Sequence, residues 1–348
     1  MKNKKIIKTT CIFLAIVLLS SVLIYNVIAE ISITSEEKQL NKIVEKYDQK
    51  TAQQLIDIVN TITDEATNEN ETIAVFSSLA SKAKKLSGQE IAKEIYNENN
   101  SVLTKTIMIQ NMNFSKFKTD EKKKIIDLIS SDIVELPLKK DIINKFDKDS
   151  TEYLKELINK DGDLAFVSAR KLFSLNPNNA VDIANDIIKN SSGKTVEQLK
   201  AAIFTYGNKF RNKMTYADAK LNKEEFVDFC KDIIIKNNDQ DLTNMTIYSL
   251  ADTRDIEAVR FLTYNESIDR IVKVGCLYEN YETIKEMLEN NPSVEDIELA
   301  IDVMLIMPIK EIKPLLEKEK EKINGNEDLL QKYTNAIDLI DNEGVNAR

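Results

Sequence analysis

Val181-Asp182-Ile183-Ala184-Asn185-Asp186-Ile187-Ile188-Lys189-Asn190 is an amphipathic helical stretch that closes on an aliphatic residue and a Lys-Asn tail. The same plan recurs in Tyr153-Leu154-Lys155-Glu156-Leu157-Ile158-Asn159-Lys160, in Phe229-Cys230-Lys231-Asp232-Ile233-Ile234-Ile235-Lys236-Asn237 and in Thr283-Ile284-Lys285-Glu286-Met287-Leu288-Glu289-Asn290. Each such helix precedes a more apolar one, for example Leu164 to Leu175 or Ile297 to Met307. With Ile158, Ile188, Ile235, Leu262, Leu288 and Leu316 as equivalent positions, the intervals are 30, 47, 27, 26 and 28 residues, and the long one contains an insertion. A helix pair that exposes one member and buries the other on its neighbours cannot close a core alone, so the pairs are expected to stack.

Composition agrees with helices throughout. The chain has 348 residues, with 7 Gly, 5 Pro, no His and no Trp, against 43% hydrophobic and 30% charged residues. That apolar fraction suffices for a core and excludes general disorder. Scarce Gly and Pro leave little material for hairpins and catalytic loops, and helices joined by short polar turns are the consequence. Breaks are expected at Asn99-Asn100, Pro137, Gly162, Pro177, Gly193, Pro292, Pro308 and Gly325. The expected fold class is all-α: an N-terminal membrane helix followed by a right-handed α-solenoid of stacked helix pairs, with an irregular helical bundle as the alternative. Over about residues 89–342 the chain resembles the HEAT-like and armadillo-like α-solenoids in architecture only. The proline, aspartate and arginine positions of well-defined HEAT units do not recur, and the Trp, Leu-Gly and Tyr pattern of tetratricopeptide repeats is missing.

The N-terminal end sets an address. Lys2, Lys4, Lys5 and Lys8 precede an uncharged run from Cys11 to Ala29, close to the roughly 20 residues that cross a bilayer. Basic residues before the run and acidic ones after it orient the N-terminus inward and the bulk outward. Residues 1–9 are thus a cytoplasmic basic segment and 10–29 a single-pass anchor of a bacterial cell membrane. The alternative is secretion after signal-peptide cleavage near Ala29, where Val27 and Ala29 fit small-residue positions. Cys11 lacks the small-residue pattern that precedes a lipidated cysteine.

Beyond the run, Thr34 with Glu37 and Thr51 with Gln54 are capping-box patterns that open two helices. Residues 30–88 are expected as membrane-proximal helices, 89–342 as the repeat domain and 343–348 as a tail. Cys230 and Cys276 sit in apolar helical patterns and are expected as free thiols.

Without the four N-terminal lysines the remainder holds 44 basic against 57 acidic residues, a net of −13. Such a surface repels phosphate backbones, so no nucleic acid is expected as a partner. Missing His removes Ser-His and Cys-His pairs and most zinc sites. Asp147-Lys148-Asp149-Ser150-Thr151 fails as a calcium loop because Glu152 stands where Gly is required and Ile158 where the bidentate Glu is required. No phosphate-binding glycine loop is present. No catalytic residue, metal or cofactor is therefore assigned.

One segment differs in charge. Tyr206 to Lys220 carries +3 on an otherwise acidic chain and follows a helix over Val196 to Phe204, the alternative being that this helix continues to Phe210 and the rest is a solvated connector. Its Tyr206, Lys209, Phe210, Arg211, Lys213 and Tyr216 form a candidate partner-binding loop, since insertions in solenoids project from one face and these residue types favour interfaces. The expected function is a non-catalytic extracytoplasmic scaffold tethered to the membrane through residues 10–29, with an envelope or secretion protein as partner. The alternatives are a carboxylate-only cell-wall hydrolase and an extracellular peptide or solute receptor.

Overall fold

The computed structural model describes residues 35–62, 69–160, 162–211 and 223–347. The expected anchor at residues 10–29 and the cap at Thr34 lie outside the described residues. Among those described, no helix is long and apolar enough to cross a membrane. The fold is all-α: nineteen α-helices, no strand, and an isolated parallel bridge between Ile309 and Val345 among the described residues.

Packing divides the chain into two compact units that meet at Asp147 and Lys148. The first holds α1 (Ser35–Asp48), α2 (Ala52–Thr61), α3 (Glu69–Ala83), α4 (Gly88–Tyr96), α5 (Val102–Asn111), α6 (Thr119–Asp127) and α7 (Leu136–Lys145). Across residue 88, α3 buries Val75, Phe76 and Leu79 and packs on α5. The second unit holds α8 (Thr151–Lys160), α9 (Ala165–Leu175), α10 (Pro177–Lys189), α11 (Val196–Arg211), α12 (Lys223–Lys236) and α13 (Gln240–Ala251). It continues with α14 (Ile256–Tyr264), α15 (Arg270–Glu279), α16 (Tyr281–Glu289), α17 (Val294–Ile306), α18 (Lys313–Glu319) and α19 (Glu327–Glu343).

The expected breaks fall where the chain turns. Pro137 and Pro177 occupy the first turns of α7 and α10, where a missing N–H costs nothing. Gly193 takes φ +78, open to glycine without strain. Thr51 and Gln54 close the expected capping box at the head of α2, with Thr51 N–H donating to Gln54 Oε1 over 2.9 Å.

Within each unit the helices alternate between two roles. In the first, α1 packs on α3, α3 on α5 and α5 on α7. In the second, α9, α11, α13, α15, α17 and α19 pack in the same successive manner, and the intervening helices pack against this row. Helix α17 buries Ile297, Leu299, Ala300, Ile301, Val303 and Met304, positions that go round the helix, as suits an element with neighbours on several sides. Of the six positions aligned by sequence, five are buried and Ile235 is 65% exposed. Its neighbour Ile234, 6% exposed, holds the equivalent place, which corrects the register of α12 by one residue.

Helix ends leave carbonyls without an intrahelical partner. Side chains from other helices reach them. Lys82 Nζ of α3 donates to Asp48 O of α1 over 2.8 Å, Gln198 Nε2 of α11 to Ile158 O of α8 over 2.9 Å, and Asn280 Nδ2 to Ala251 O of α13 over 3.0 Å. Lys145 Nζ makes the same kind of bond to Gln110 O. Asn60 ties α2 to the next pair by accepting from Thr104 Oγ1 at 2.7 Å. From Asn280 with Ala251 to Thr104 with Asn60, these bonds join residues 29 to 44 apart in sequence, about one helix pair.

Two contacts set how closely the layers approach. A Cβ on Gly207 of α11 would meet Ser249 Oγ of α13 at 2.4 Å and its Cβ at 2.9 Å. Gly207→Ala is expected to destabilise the protein by about 1–3 kcal/mol in urea denaturation, as overpacking does, and Ser249→Gly in the same chain should recover much of that loss. At the head of α4, Ser87 and Glu90 form a capping box, and bonds from the Ser87 hydroxyl and N–H hold the Glu90 carboxyl below the usual range. A lowered carboxylate stabilises above its ordinary pKa and loses that contribution as the pH falls through the folded value. Ser87→Ala should cost about 1 kcal/mol at neutral pH, with the difference from wild type narrowing below about pH 4 and the Glu90 resonance titrating higher.

Candidate functional site

The basic segment begins inside a helix. Helix α11 continues to Arg211, close to the alternative end at Phe210 and past the one at Phe204, so Tyr206, Lys209, Phe210 and Arg211 are helical. The reason is the i, i+4 spacing of Tyr206 and Phe210, which turns both rings onto Phe226 of α12 at centroid distances of 5.3 and 5.4 Å. Tyr206 is fully buried and Phe210 half-buried, so Tyr206 is a core residue and no anchor for a partner. Lys213 and Tyr216 lie outside the described residues. Of the six candidates, Arg211 alone is described as exposed, with its side chain 60% accessible.

Arg211 leads to a different site. Its Nε and Nη2 both donate to Asp252 Oδ2, at 3.0 and 2.7 Å, which fixes the guanidinium at the end of α13. The pair borders a cavity of about 430 Å³, formed where α11, α13 and α15 reach their C-terminal ends. Tyr248, Ala251, Gly275 and Cys276 form its apolar lining, and Arg254 and Glu279 stand at its edge. Tyr248 is 50% exposed. Two broader hollows lie elsewhere in this unit, one of about 530 Å³ beside Phe229 and one of about 400 Å³ beside Phe261 and Tyr264.

Charge at this cavity balances in an uneven way. Asp252 is neutralised by Arg211. Among the described residues, neither Arg254 nor Glu279 has an opposite charge within ion-pair distance, and both are exposed. Arg254 also has φ +51, in the left-handed region that costs a non-glycine residue about 1–2 kcal/mol. The turn is held by Arg254 N–H donating to Ala251 O over 3.1 Å.

Gly275 stands out among the glycines of the chain. An added Cβ would strike a neighbour at Gly88, Gly162, Gly207 and Gly344, Gly193 needs its positive φ, and Gly325, as open around its Cβ position as Gly275, lies in a turn outside any helix. Gly275 lies within α15, is exposed, and a Cβ there meets nothing within 4 Å. Mid-helix glycine costs about 1 kcal/mol relative to alanine, and no contact within the chain offsets that cost here.

The remaining chemistry is structural. Glu298 and Asp302 of α17 converge on Lys332 of α19, at 3.1 Å each, and Tyr264 donates to Asp302 at 2.9 Å. Burial and that bond push the Tyr264 hydroxyl above its ordinary value. For Lys332, burial opposes the charged form, yet the two carboxylates hold it above the usual lysine range. Among the described residues no group of His, Cys, Asp and Glu is placed to hold a metal.

Cys230 and Cys276 are both buried and free, in line with the expectation of unpaired thiols. Burial pushes Cys230 well above the thiol range and, with the carboxylates of Asp252 and Glu279 adding to it, pushes Cys276 up to about 11. Thiolate is the reactive form, so both should resist attack at pH 8. In a Cys11→Ser background, Ellman's reagent is expected to find no fast-reacting thiol in the native protein and two after denaturation. A fast native thiol would contradict the burial of both.

No protein-family model, no curated protein and no solved structure matches this chain, so the case for function rests on its own geometry.

Proposed function

We propose that the protein is a non-catalytic scaffold, held on the outer side of a bacterial membrane by residues 10–29, in which each unit is a stretch of α-solenoid offering a binding surface to an envelope or secretion protein. The observation that carries the proposal is the alternation of packing. Every second helix packs on the next of its kind, and the polar bonds that cross between helices span about one helix pair. Contact limited to near neighbours is how repeat arrays are built, and such arrays use their length as a recognition surface. The converging carboxylates Glu298 and Asp302 are occupied by Lys332 and Tyr264, which fits a role in joining helices. The acidic excess of the chain favours a partner that presents basic residues to most of the surface.

In-cell crosslinking of a C-terminally tagged chain, followed by fractionation and purification, tests both halves. The expected result is a membrane-bound chain crosslinked stoichiometrically to one envelope protein, with the crosslinks mapping to residues 148–347. Recovery without a stoichiometric partner overturns the scaffold, and release of the chain into the medium overturns the anchor.

A further inference from the structure

We infer that the cavity between the C-terminal ends of α11, α13 and α15 is a recognition site for a peptide segment that presents an acidic and a basic side chain on either side of an apolar one. The inference deepens the scaffold reading, on which it rests for the source of the peptide. Its main support is Gly275. A glycine inside a helix, with open space where a Cβ would stand, has no packing role within the chain, yet it lines a half-open cavity. Space kept free at a cost in helix propensity is what a site needs if a ligand is to lie against the helix backbone.

The edge of the cavity sets the ligand's charges. Arg211 and Asp252 cancel one another, which leaves Arg254 and Glu279, among the described residues, as one unmatched cation and one unmatched anion. A ligand with only acidic groups meets repulsion from Glu279, and one with only basic groups meets it from Arg254. A mixed-charge segment satisfies both. The choice of cation is informative as well. The chain has 42 lysines and 6 arginines, yet among the described residues the cations that line this cavity are two arginines and no lysine. Arginine presents a planar fork that binds a carboxylate through two parallel bonds, where lysine offers a point charge. Arg254 is held at φ +51 by its turn, a strained backbone of the kind that gathers at binding sites. Half-exposed Tyr248 with Ala251 and Gly275 supplies an apolar wall of the same cavity for the central side chain. A volume of about 430 Å³ falls in the range of small-ligand sites, which runs from about 300 to 1,000 Å³.

Isothermal titration calorimetry on the full chain in detergent micelles tests the site with three peptides blocked at both ends. One carries Glu and Lys around a central Phe, one carries Glu on both sides, and one Lys on both sides. The mixed peptide is expected to bind at least about tenfold more tightly than either of the others, the scale of one charge-assisted bond. The Cβ of a residue at position 275 meets nothing within 4 Å, so Gly275→Leu is expected to occupy the cavity and weaken binding by about tenfold or more while the melting temperature does not fall. Arg254→Glu and Glu279→Arg should each weaken binding, and the double exchange should restore it. Absence of binding by the mixed peptide, equal binding of all three, or binding unchanged by Gly275→Leu overturns the inference. The two proposals fail separately. Crosslinking to a partner that survives Arg254→Glu, with no peptide binding, removes the site and leaves the scaffold. Selective peptide binding with no partner in cells does the reverse.

Discussion

The described helices run from 7 residues in α18 to 17 in α19, and at such lengths an isolated helix is marginal in water. Nucleation costs more than a few turns of hydrogen bonds return, and the apolar stripe of each helix stays wet until another element covers it. Burial against a helix two places along the chain is therefore the constraint on which the structure depends. It explains why α9, α11, α13, α15, α17 and α19 pack in succession, and why the amphipathic helices between them can spend their outer faces on Lys, Glu and Asn. It also explains the small residues at the layer contacts. Ala165 and Ala169 on α9, and Ala201 and Ala202 on α11, are buried at 3% exposure or less, and Gly207 admits Ser249 at a distance that any Cβ would forbid.

Polar bonds complete what burial begins. A helix that stops inside a packed layer exposes carbonyls to a region short of water, and each unsatisfied group costs about 1–3 kcal/mol. Gln198, Asn280, Lys82 and Lys145 answer that cost from a neighbouring helix. Because each bond spans about one helix pair, cooperativity is passed between neighbours within a unit. The C-terminal end shows how a row can finish: Val345 N–H donates to Pro308 O at 3.0 Å, Lys310 N–H donates to Val345 O at 3.0 Å, and the tail thereby lies along the segment that follows α17.

The all-α class was legible because it depends on composition and period, which a sequence displays directly. Breaks at Pro137, Pro177 and Gly193 and the capping box at Thr51 stand where pattern and turn chemistry place them. What failed is informative about the limits of pattern. Ile233, Ile234 and Ile235 are chemically alike, so sequence could not say which of them faces inward, and packing selects Ile234 over Ile235. Tyr206 and Phe210 looked like loop aromatics because a basic tail follows them. The distinction from a core pair lies in Phe226, sixteen positions beyond Phe210, and only folding brings that ring alongside. Arg211 belongs to the helix rather than to the segment after it. Its place at the cavity depends on Asp252, 41 residues away.

Gly275 carried a signal that could have been read earlier. Seven glycines in 348 residues are few enough to be asked, one by one, what each is for. In the sequence Val274-Gly275-Cys276-Leu277-Tyr278 the surrounding apolar pattern is helical, and a glycine within it weakens the helix it interrupts. Such a residue has three ordinary explanations: a close helix crossing, a left-handed backbone, or a surface that something outside the chain approaches. Gly207 is the first case and Gly193 the second. At Gly275 the crossing is absent, since nothing lies within 4 Å, and the backbone is an unbroken helix. The third explanation is the one left standing, and it places the point of recognition on the row of helices that the fold itself depends on.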